Sequence, residues 1–267
     1  MSQAWELDDA LVVYAELRKT TRSGFALLLS AVVFFLPRVR GSLPCAYATL
    51  KGWERLEPVS HTVPMLRVFA LAIGIRMAQL GWATTGSALI LGQILLLRPS
   101  ELLALRVSDV TLPEAAPVFV GERKLFLNLG PTPWGTKVNR RQCVSTTDPF
   151  AIEAARLLVH SAGADGRLCP FSYETYRRRL QRACQELGLA DLAFAPHSMR
   201  AGGATQMQLD GCAFEKIQQA GRWASPQSCK IYLDAIFALA QSTVVRASRF
   251  LALLALPHLP PALGRCL

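Results

Sequence analysis

The sequence predicts a mainly α-helical protein with one small antiparallel β-sheet, an α+β fold. Apolar residues recur with helical spacing over most of the 267 positions, and only residues 117–148 cluster β-forming residues between Gly, Pro and Asn. A further observation divides the chain, because Pro, Ser and His replace the helical pattern over residues 59–64. We therefore expect a small helical domain over residues 1–60 and a larger domain after it.

Composition limits the class of protein. The 29 Lys and Arg residues exceed the 19 Asp and Glu residues, which gives a net charge of +10. An excess of that size suits a phosphate-rich partner such as nucleic acid, and it also suits an anionic membrane surface. The seven cysteines form no Cys-x-x-Cys pair, so they indicate reduced thiols and not a disulfide framework or a zinc site. The first residues lack the basic start and apolar run of a signal peptide, so we expect a chain that is not secreted.

The first domain is predicted to be mainly helical. Residues 9–20 have the pattern of an amphipathic helix, and the apolar run 24–36 is too short to cross a bilayer, so it predicts a buried helix. Residues 37–58 predict a loop, a short helix and a linker. Arg38 and Lys51 in this segment are candidates for contact with phosphate, the alternative being a solvated surface.

Residues 65–110 have a helical and apolar pattern. The stretch 80–97 carries no charge, so a membrane span is the alternative to a core helix; its Gly, Thr and Ser residues and the arginines that flank it favour the core helix. Arg98 begins a new predicted helix, with Pro99 in the first turn. Glu101, three positions on, is placed to orient the Arg98 guanidinium, although such a pair taken alone is more typical of an ordinary helix surface.

The predicted sheet is followed by two more helices. Within the sheet, Arg140 and Arg141 lie in a turn before the strand QCVSTT and are candidates for contact with DNA. An amphipathic helix is predicted over residues 151–162, and a second helix within 171–190 opens with a Ser-x-x-Thr start. Arg178 and Arg182 on that second helix are four positions apart and are candidates for the DNA backbone, the alternative being a solvated face.

The segment 195–234 holds the residues from which we infer chemistry. His197 and Arg200 are three positions apart, so a helix places an imidazole and a guanidinium on one face. Gly211 is expected to end that helix, and a second one is expected over 213–220. Ser225 and Pro226 then open a third helix with an N-cap and a first-turn proline. Trp223 lies in the loop before this third helix, and Tyr232 lies about two turns into it.

These residue types suit attack on a phosphodiester. A tyrosine hydroxyl is a weak nucleophile at its free pKa of about 10 and needs help. Two guanidiniums around a phosphate supply that help, because arginine is always charged and binds phosphate oxygens in a bidentate way. Arg200 and Arg98 are the two candidates, with Tyr232 as the attacking group. If the arginines stabilise the charge, no metal or other cofactor is required.

The chain resembles the tyrosine recombinases, the phage integrase family. The family pattern is an Arg with an acidic residue three positions on, a hairpin Lys, His-x-x-Arg, a His or Trp, and a Tyr nine positions later. The matching residues here are Arg98, Glu101, Lys137, His197, Arg200, Trp223 and Tyr232. Lys124 is the alternative to Lys137 as the hairpin lysine.

The resemblance implies a fold and a reaction. It implies a catalytic domain over residues 65–255, preceded by a small helical domain that resembles the family's core-binding domain in place and size, with a tail at 256–267. Tyr232 would form a 3′-phosphotyrosyl link, the two arginines would bind the non-bridging oxygens, and Lys137 would protonate the leaving 5′ oxygen. His197 and Trp223 would complete the pocket.

The resemblance also implies partners. These are double-stranded DNA and further copies of the chain, as a tetramer on DNA, in which the apolar segment after Tyr232 either docks on the next protomer or folds into its own core. We expect a location inside the cell with the DNA, in the nucleus or the nucleoid according to the host, and no membrane partner. The alternatives are a type IB topoisomerase, a catalytically silent DNA-binding relic of a mobile element, and a membrane protein.

Overall fold

The computed structural model describes residues 2–17, 20–57, 62–115, 124–130 and 142–227, and the single positions 229, 230, 233, 246 and 247. The chain divides into two compact units, Met1–Ser60 and His61–Leu267. The predicted fold class is confirmed, because the described residues are mostly helical and contain one three-stranded antiparallel sheet.

Three helices and a short 3-10 turn, Pro37–Val39, build the first unit. The helices are α1 (Ser2–Glu16), α2 (Arg22–Phe35) and α3 (Pro44–Leu56). Their core is formed by seven buried residues, which are Leu11, Ala15, Phe25, Leu29, Val33, Leu43 and Ala46. The buried carboxylate of Asp8 on α1 accepts hydrogen bonds from the backbone N–H groups of Cys45, at 2.9 Å, and Ala46, at 2.8 Å. A side chain of α1 therefore satisfies the N-terminus of α3 and fixes the two helices together.

Helix α2 corrects one expectation. The apolar run was expected to be a buried helix, but only Phe25, Leu29 and Val33 of α2 are buried. Leu27 and Phe35 are 71% and 77% exposed. Within its unit, α2 packs on α3 and on the 3-10 turn, so these neighbours cover one side of a helix that is apolar all round.

A central helix organises the second unit. Helices α4 (Arg67–Gln79), α5 (Ala83–Ile94) and α6 (Pro99–Ala104) follow one another with short turns. Helix α5 contacts α4, α7 (Pro149–His160) and α9 (Ser198–Leu209). Its close approach to α4 requires glycine, because a Cβ on Gly86 would lie 2.3 Å from the backbone oxygen of Gly74. The uncharged stretch 80–97 is thus a core helix with its turns. None of the helices in the described part of the chain has the length and apolar character that a bilayer crossing needs.

The sheet lies between α6 and α7. Its strands are β1 (Val110–Thr111), β2 (Leu125–Leu129) and β3 (Gln142–Thr146), antiparallel in the order β1-β2-β3. Leu127 pairs with Val110 on one side and Val144 on the other. The three leucines of β2 point into the core at alternate positions, as a half-buried strand requires. The sheet begins earlier than predicted, because β1 precedes residue 117. Lys137, Arg140 and Arg141 lie outside the described residues.

Side-chain caps mark the start of the next two helices. Asp148 accepts from the N–H groups of Phe150 and Ala151 at the start of α7, and Ser172 accepts from Thr175 N–H at the start of α8 (Tyr173–Glu186). Helices α9 and α10 (Phe214–Gly221) follow. A small apolar cluster joins these last helices to the segment after α5; its buried residues are Leu96, Ala204, Ile217, Cys229 and Leu233.

Candidate active site

Arg98 lies at the start of α6, where its own helical turn orients it. Glu101, in the first turn, accepts a hydrogen bond from the Arg98 backbone N–H at 2.8 Å through Oε2, and from Arg98 Nη1 at 2.6 Å through Oε1. The Glu101 side chain is buried, whereas that of Arg98 is 26% exposed. The carboxylate therefore holds the guanidinium in one orientation while part of the Arg98 side chain remains open to solvent.

Arg200 reaches the same region from α9. The residue is buried, and its guanidinium donates to the backbone oxygen of Leu96 through Nη1 and to that of Gly221 through Nη2. Leu96 is only two positions before Arg98, so Arg200 is bound to the segment that leads directly into the first arginine. This hydrogen bond fixes α9 to the turn from which Arg98 starts α6.

The turn that offers this carbonyl has an unusual backbone. Leu96 has a φ of +50°, in the left-handed region that side chains with a Cβ rarely adopt. Such a conformation costs on the order of 1 kcal/mol or more and persists where the surroundings determine it. Here the Leu96 side chain is buried in the small apolar cluster and its carbonyl accepts the Arg200 guanidinium.

His197 precedes α9 and completes a group of three basic side chains. The His197 side chain is exposed in part and buried in part. Partial burial lowers the pKa of His197, and the positive charges of Arg200 and then Arg98 lower it further. Both guanidiniums are therefore close enough to oppose protonation of the imidazole, as expected if the three predicted residues surround one site.

Trp223 packs on Arg200 from the loop after α10. The guanidinium carbon of Arg200 lies 4.7 Å from the centroid of the indole ring. Gly221 makes room for the ring, because a Cβ at this position would lie 1.6 Å from Trp223 Cζ3. The Gln218 side chain donates to the Trp223 backbone oxygen at 3.2 Å and holds the loop against α10.

Sequence reasoning missed Arg222. Its Nη2 lies 2.6 Å from Glu101 Oε2, and both side chains are buried. The residue directly follows the glycine that ends α10 and has a φ of +57°. The available signal for a role in the site was that Arg222 directly precedes Trp223. Charge alone does not distinguish a buried arginine from the many exposed ones in a chain this basic.

The proposed nucleophile Tyr232 lies outside the described residues, as does Lys137. Two described neighbours of Tyr232 in the chain, Cys229 and Leu233, are buried in the same cluster as Leu96. Lys124, the alternative hairpin lysine, is described; it is partly buried and directly precedes β2.

The predicted DNA-contacting residues differ in their surroundings. Arg178 on α8 is exposed, and Arg182 is exposed while paired with Glu186 at 2.8 Å. Their neighbour Arg179 is instead held within the fold: its guanidinium carbon lies 5.6 Å from the ring centroids of both Trp82 and Phe171, and it donates to Thr85 at 2.7 Å. In the first unit, Arg38 and Lys51 are exposed.

An open cleft of about 690 Å³ lies beside Glu101. It runs between α6 and the end of β2, the strand that leads into the segment 131–141. The polar and charged residues that line it are Ser100, Glu101, Arg106, Asp109, Asn128, Arg167, Ser172 and Tyr173. Within the described part of the chain, no three His, Cys, Asp or Glu side chains are grouped as a metal site would require.

Comparison with known proteins shows the family and the fold. Residues 83–238 match the model of the phage integrase family. Among solved structures, the chain is similar to the crystal structure of XerA recombinase, with 16% identity, 91% of each chain covered and a TM-score of 0.50. It is also similar to the Tn1549 transposon integrase in complex with transposon right end DNA, with 13% identity, 92% of this chain and 85% of that one covered, and a TM-score of 0.54. At these identities the likeness is one of fold. A search of curated proteins finds no significant match.

Proposed function

Because the chain belongs to the phage integrase family, we propose that it is a site-specific DNA recombinase that cuts and rejoins double-stranded DNA through a 3′-phosphotyrosyl intermediate. One observation carries the proposal. Arg200 is hydrogen-bonded to Leu96, two positions before Arg98, and both arginines lie close enough to His197 to lower its pKa. This is the convergence of cationic groups that a scissile phosphate needs.

The charge of the site suits an anion. Two guanidiniums, those of Arg98 and Arg222, bind the single carboxylate of Glu101, and the guanidinium of Arg200 binds the Leu96 carbonyl that Arg222 also contacts. The excess of positive charge is held by hydrogen bonds before any DNA arrives. Such a preorganised group stabilises negative charge that develops on the phosphate oxygens in the transition state, without reorganisation at the moment of reaction.

In the proposed first step, the Tyr232 oxygen attacks phosphorus and the bond from phosphorus to the 5′ oxygen breaks. His197 is the group we assign to accept the phenol proton, because its lowered pKa leaves the imidazole neutral near pH 7. Lys137, or Lys124 in its place, gives a proton to the leaving 5′ oxygen. The arginines bind the non-bridging oxygens throughout.

The second step is the reverse attack. A 5′-hydroxyl, from the same strand or from a partner duplex, attacks the phosphotyrosine and releases Tyr232. The number of phosphoester bonds does not change, so the reaction needs no external source of energy. Exchange between two duplexes requires one active site for each strand cut, and a tetramer on DNA is therefore the proposed working assembly.

The exposed basic residues are the proposed DNA contacts. Arg178 and Arg182 on α8 would bind the backbone near the catalytic unit, and Arg38 and Lys51 would do so from the first unit. Contacts of this kind position a protein on DNA without reading its sequence. Arg140 and Arg141 are proposed to act in the same way.

The test uses nicked duplexes that trap the covalent intermediate. Since the target sequence is not known, a pool of nicked suicide duplexes with randomised sequence is incubated with the full chain, and products are separated on a denaturing gel. We expect a protein–DNA band with the wild type and none with Tyr232→Phe. The matched control is Tyr14→Phe, the same change at an exposed tyrosine of the first unit, which should retain the band.

Two results would overturn parts of the proposal. A band of equal intensity with Tyr232→Phe would remove Tyr232 as the nucleophile, and no band with any folded protein would indicate a silent DNA-binding chain. Supercoiled plasmid separates the remaining alternative, because relaxation without recombinant joints is the product of a topoisomerase.

A further inference from the structure

Glu101 bridges two arginines that come from different parts of the catalytic unit. One carboxylate oxygen, Oε1, accepts Arg98 Nη1 at 2.6 Å. The other, Oε2, accepts the Arg98 backbone N–H at 2.8 Å and Arg222 Nη2 at 2.6 Å. We infer that Arg222 is a positioning residue of the phosphate site, which holds Glu101 and, through it, the guanidinium of Arg98. This inference rests on the proposed function.

Arg222 also binds the turn that receives Arg200. Its Nη2 lies 3.2 Å from the Leu96 carbonyl oxygen, which accepts Arg200 Nη1 as well. Arg222 is thus the one side chain in the described network that touches both the partner of Arg98 and the partner of Arg200. Removing it would loosen both arginines, although it touches neither reacting group.

The backbone at Arg222 supports a specific role. Its φ of +57° lies in the left-handed region that favours glycine, and the residue follows the last residue of α10. Glycine or asparagine is the ordinary choice at such a helix end. An arginine that adopts this conformation, with a buried side chain, has interactions that offset the local cost.

Electrostatics explains why a second arginine is needed. If Arg98 were the only cation near Glu101, the buried carboxylate would neutralise most of the charge that Arg98 offers to a phosphate. Burial raises the pKa of Glu101, while Arg222 and then Arg98 oppose this and hold the pKa below its ordinary value. Arg106, Asp109 and Arg167 line the cleft beside Glu101. With Arg222 as a second partner, Glu101 stays ionised and the site keeps its excess positive charge.

An arginine with a merely structural role would affect stability but not the titration of Glu101. The test therefore measures how the rate of covalent-complex formation depends on pH. The variants are Arg222→Met, which keeps most of the side-chain volume, and Arg222→Lys, which keeps the charge. The rate of covalent-complex formation on the nicked duplex recovered from the pool is measured against pH. For Arg222→Met we expect a loss of about tenfold to a hundredfold near neutral pH, the range for a lost charge-assisted hydrogen bond.

The acid limb of the profile of rate against pH should also move to higher pH in Arg222→Met. In Arg222→Met, Glu101 protonates at a higher pH than in the wild type. As the pH is lowered, the rate of covalent-complex formation should therefore fall at a correspondingly higher pH, and it should recover in alkali. Arg222→Lys should restore most of the rate and the original limb. In the double variant Arg222→Met/Glu101→Gln the shifted limb should disappear, because the titrating group is gone. Arg76→Met, which breaks the ion pair with Glu186 elsewhere in the unit, is the matched control and should leave the limb in place.

A second readout does not depend on catalysis. The free energy of unfolding is measured against pH for the wild type and Arg222→Met, each compared with its Glu101→Gln counterpart. In the wild type the lowered pKa of Glu101 contributes stability above the unfolded value, and this contribution is lost as the pH falls through the folded value. The midpoint of that loss should lie at higher pH in Arg222→Met.

The inference is overturned if Arg222→Met moves neither the acid limb of the rate nor the midpoint of the pH-dependent loss of stability, whatever its effect on overall stability. If the wild type forms no covalent complex, the proposed function fails separately. The unfolding series then still decides whether Arg222 holds Glu101 in its ionised form.

Discussion

The guanidinium carbon of Arg200 lies 4.7 Å from the centroid of the Trp223 ring. This contact joins α9 to the loop after α10, and the backbone carbonyl of Gly221 accepts a hydrogen bond from the same guanidinium. A buried arginine is thereby held on one side by an aromatic face and at its nitrogens by carbonyl oxygens. These contacts within the fold set its position.

Replacing Trp223 should therefore affect Arg200 as well as packing. We expect Trp223→Ala to lower the free energy of unfolding by about 2–3 kcal/mol, less than for a fully buried Trp because the residue is only partly buried. The loss of the cation–π contact, worth about 1 kcal/mol, should slow covalent-complex formation severalfold further. Trp223→Phe should recover most of the stability. The measurements are chemical denaturation and the suicide-duplex assay, with Trp5→Ala, at a 73% exposed position, as a neutral control.

Gly202 allows α9 to pack against the start of the second unit. A Cβ at this position would lie 1.7 Å from the Met65 backbone oxygen, and Met65 N–H donates to the Ser198 carbonyl at 3.0 Å. Because a backbone atom cannot rotate away, we expect Gly202→Ala to destabilise the unit by about 3 kcal/mol or more, measured by urea unfolding. Gly163→Ala should be nearly neutral, since the nearest atom to a Cβ at this position would be a side-chain oxygen of Asp165 at 3.7 Å. Equal effects of the two changes would contradict this account.

His197 should make stability depend on pH below neutrality. In the folded chain the pKa of His197 lies below the ordinary value of 6.5. As the pH falls, the unfolded chain therefore binds a proton before the folded chain does. The free energy of unfolding should accordingly fall as the pH drops below about 6.5. In His197→Gln this part of the pH dependence should be absent. The exposed His160 provides the control, because His160→Gln should leave the wild-type slope below pH 6.5 in place.

Arg178 and Arg179 are neighbours on α8, and their replacement is expected to affect different properties, DNA binding and stability respectively. Arg179→Ala should lower stability by about 1–2 kcal/mol, because it removes two aromatic contacts and a hydrogen bond to Thr85. Arg178→Ala should leave stability unchanged and weaken binding to a mixed-sequence duplex. Its effect should appear as a decrease of about 1 in the slope of log affinity against log salt concentration. If Arg178→Ala leaves the slope unaltered, Arg178 does not contact phosphate.

Much of the local structure could be predicted because its signals are local. Pro99 after Arg98, the Ser172 cap and the glycine at the end of α10 each mark a helix boundary through interactions within one turn. The alternation of leucines in β2 is a similar short-range pattern. Helix α2 shows the limit of such patterns, since the apolar run 24–36 does not indicate which of its faces the neighbouring helices will cover.

The amino-acid sequence by itself determined the helical and sheet elements, the excess of basic residues and the order of the motif from Arg98 to Tyr232. Only the tertiary structure decided that Arg200 is bound to the turn before Arg98, that Arg179 is a packing residue, and that Arg222 is bound to Glu101. The physical reason is that a guanidinium has the same charge and composition whether it is exposed, stacked on a ring or buried against a carboxylate. What distinguishes these arginines is the set of partners that the packing of distant helices places around each one.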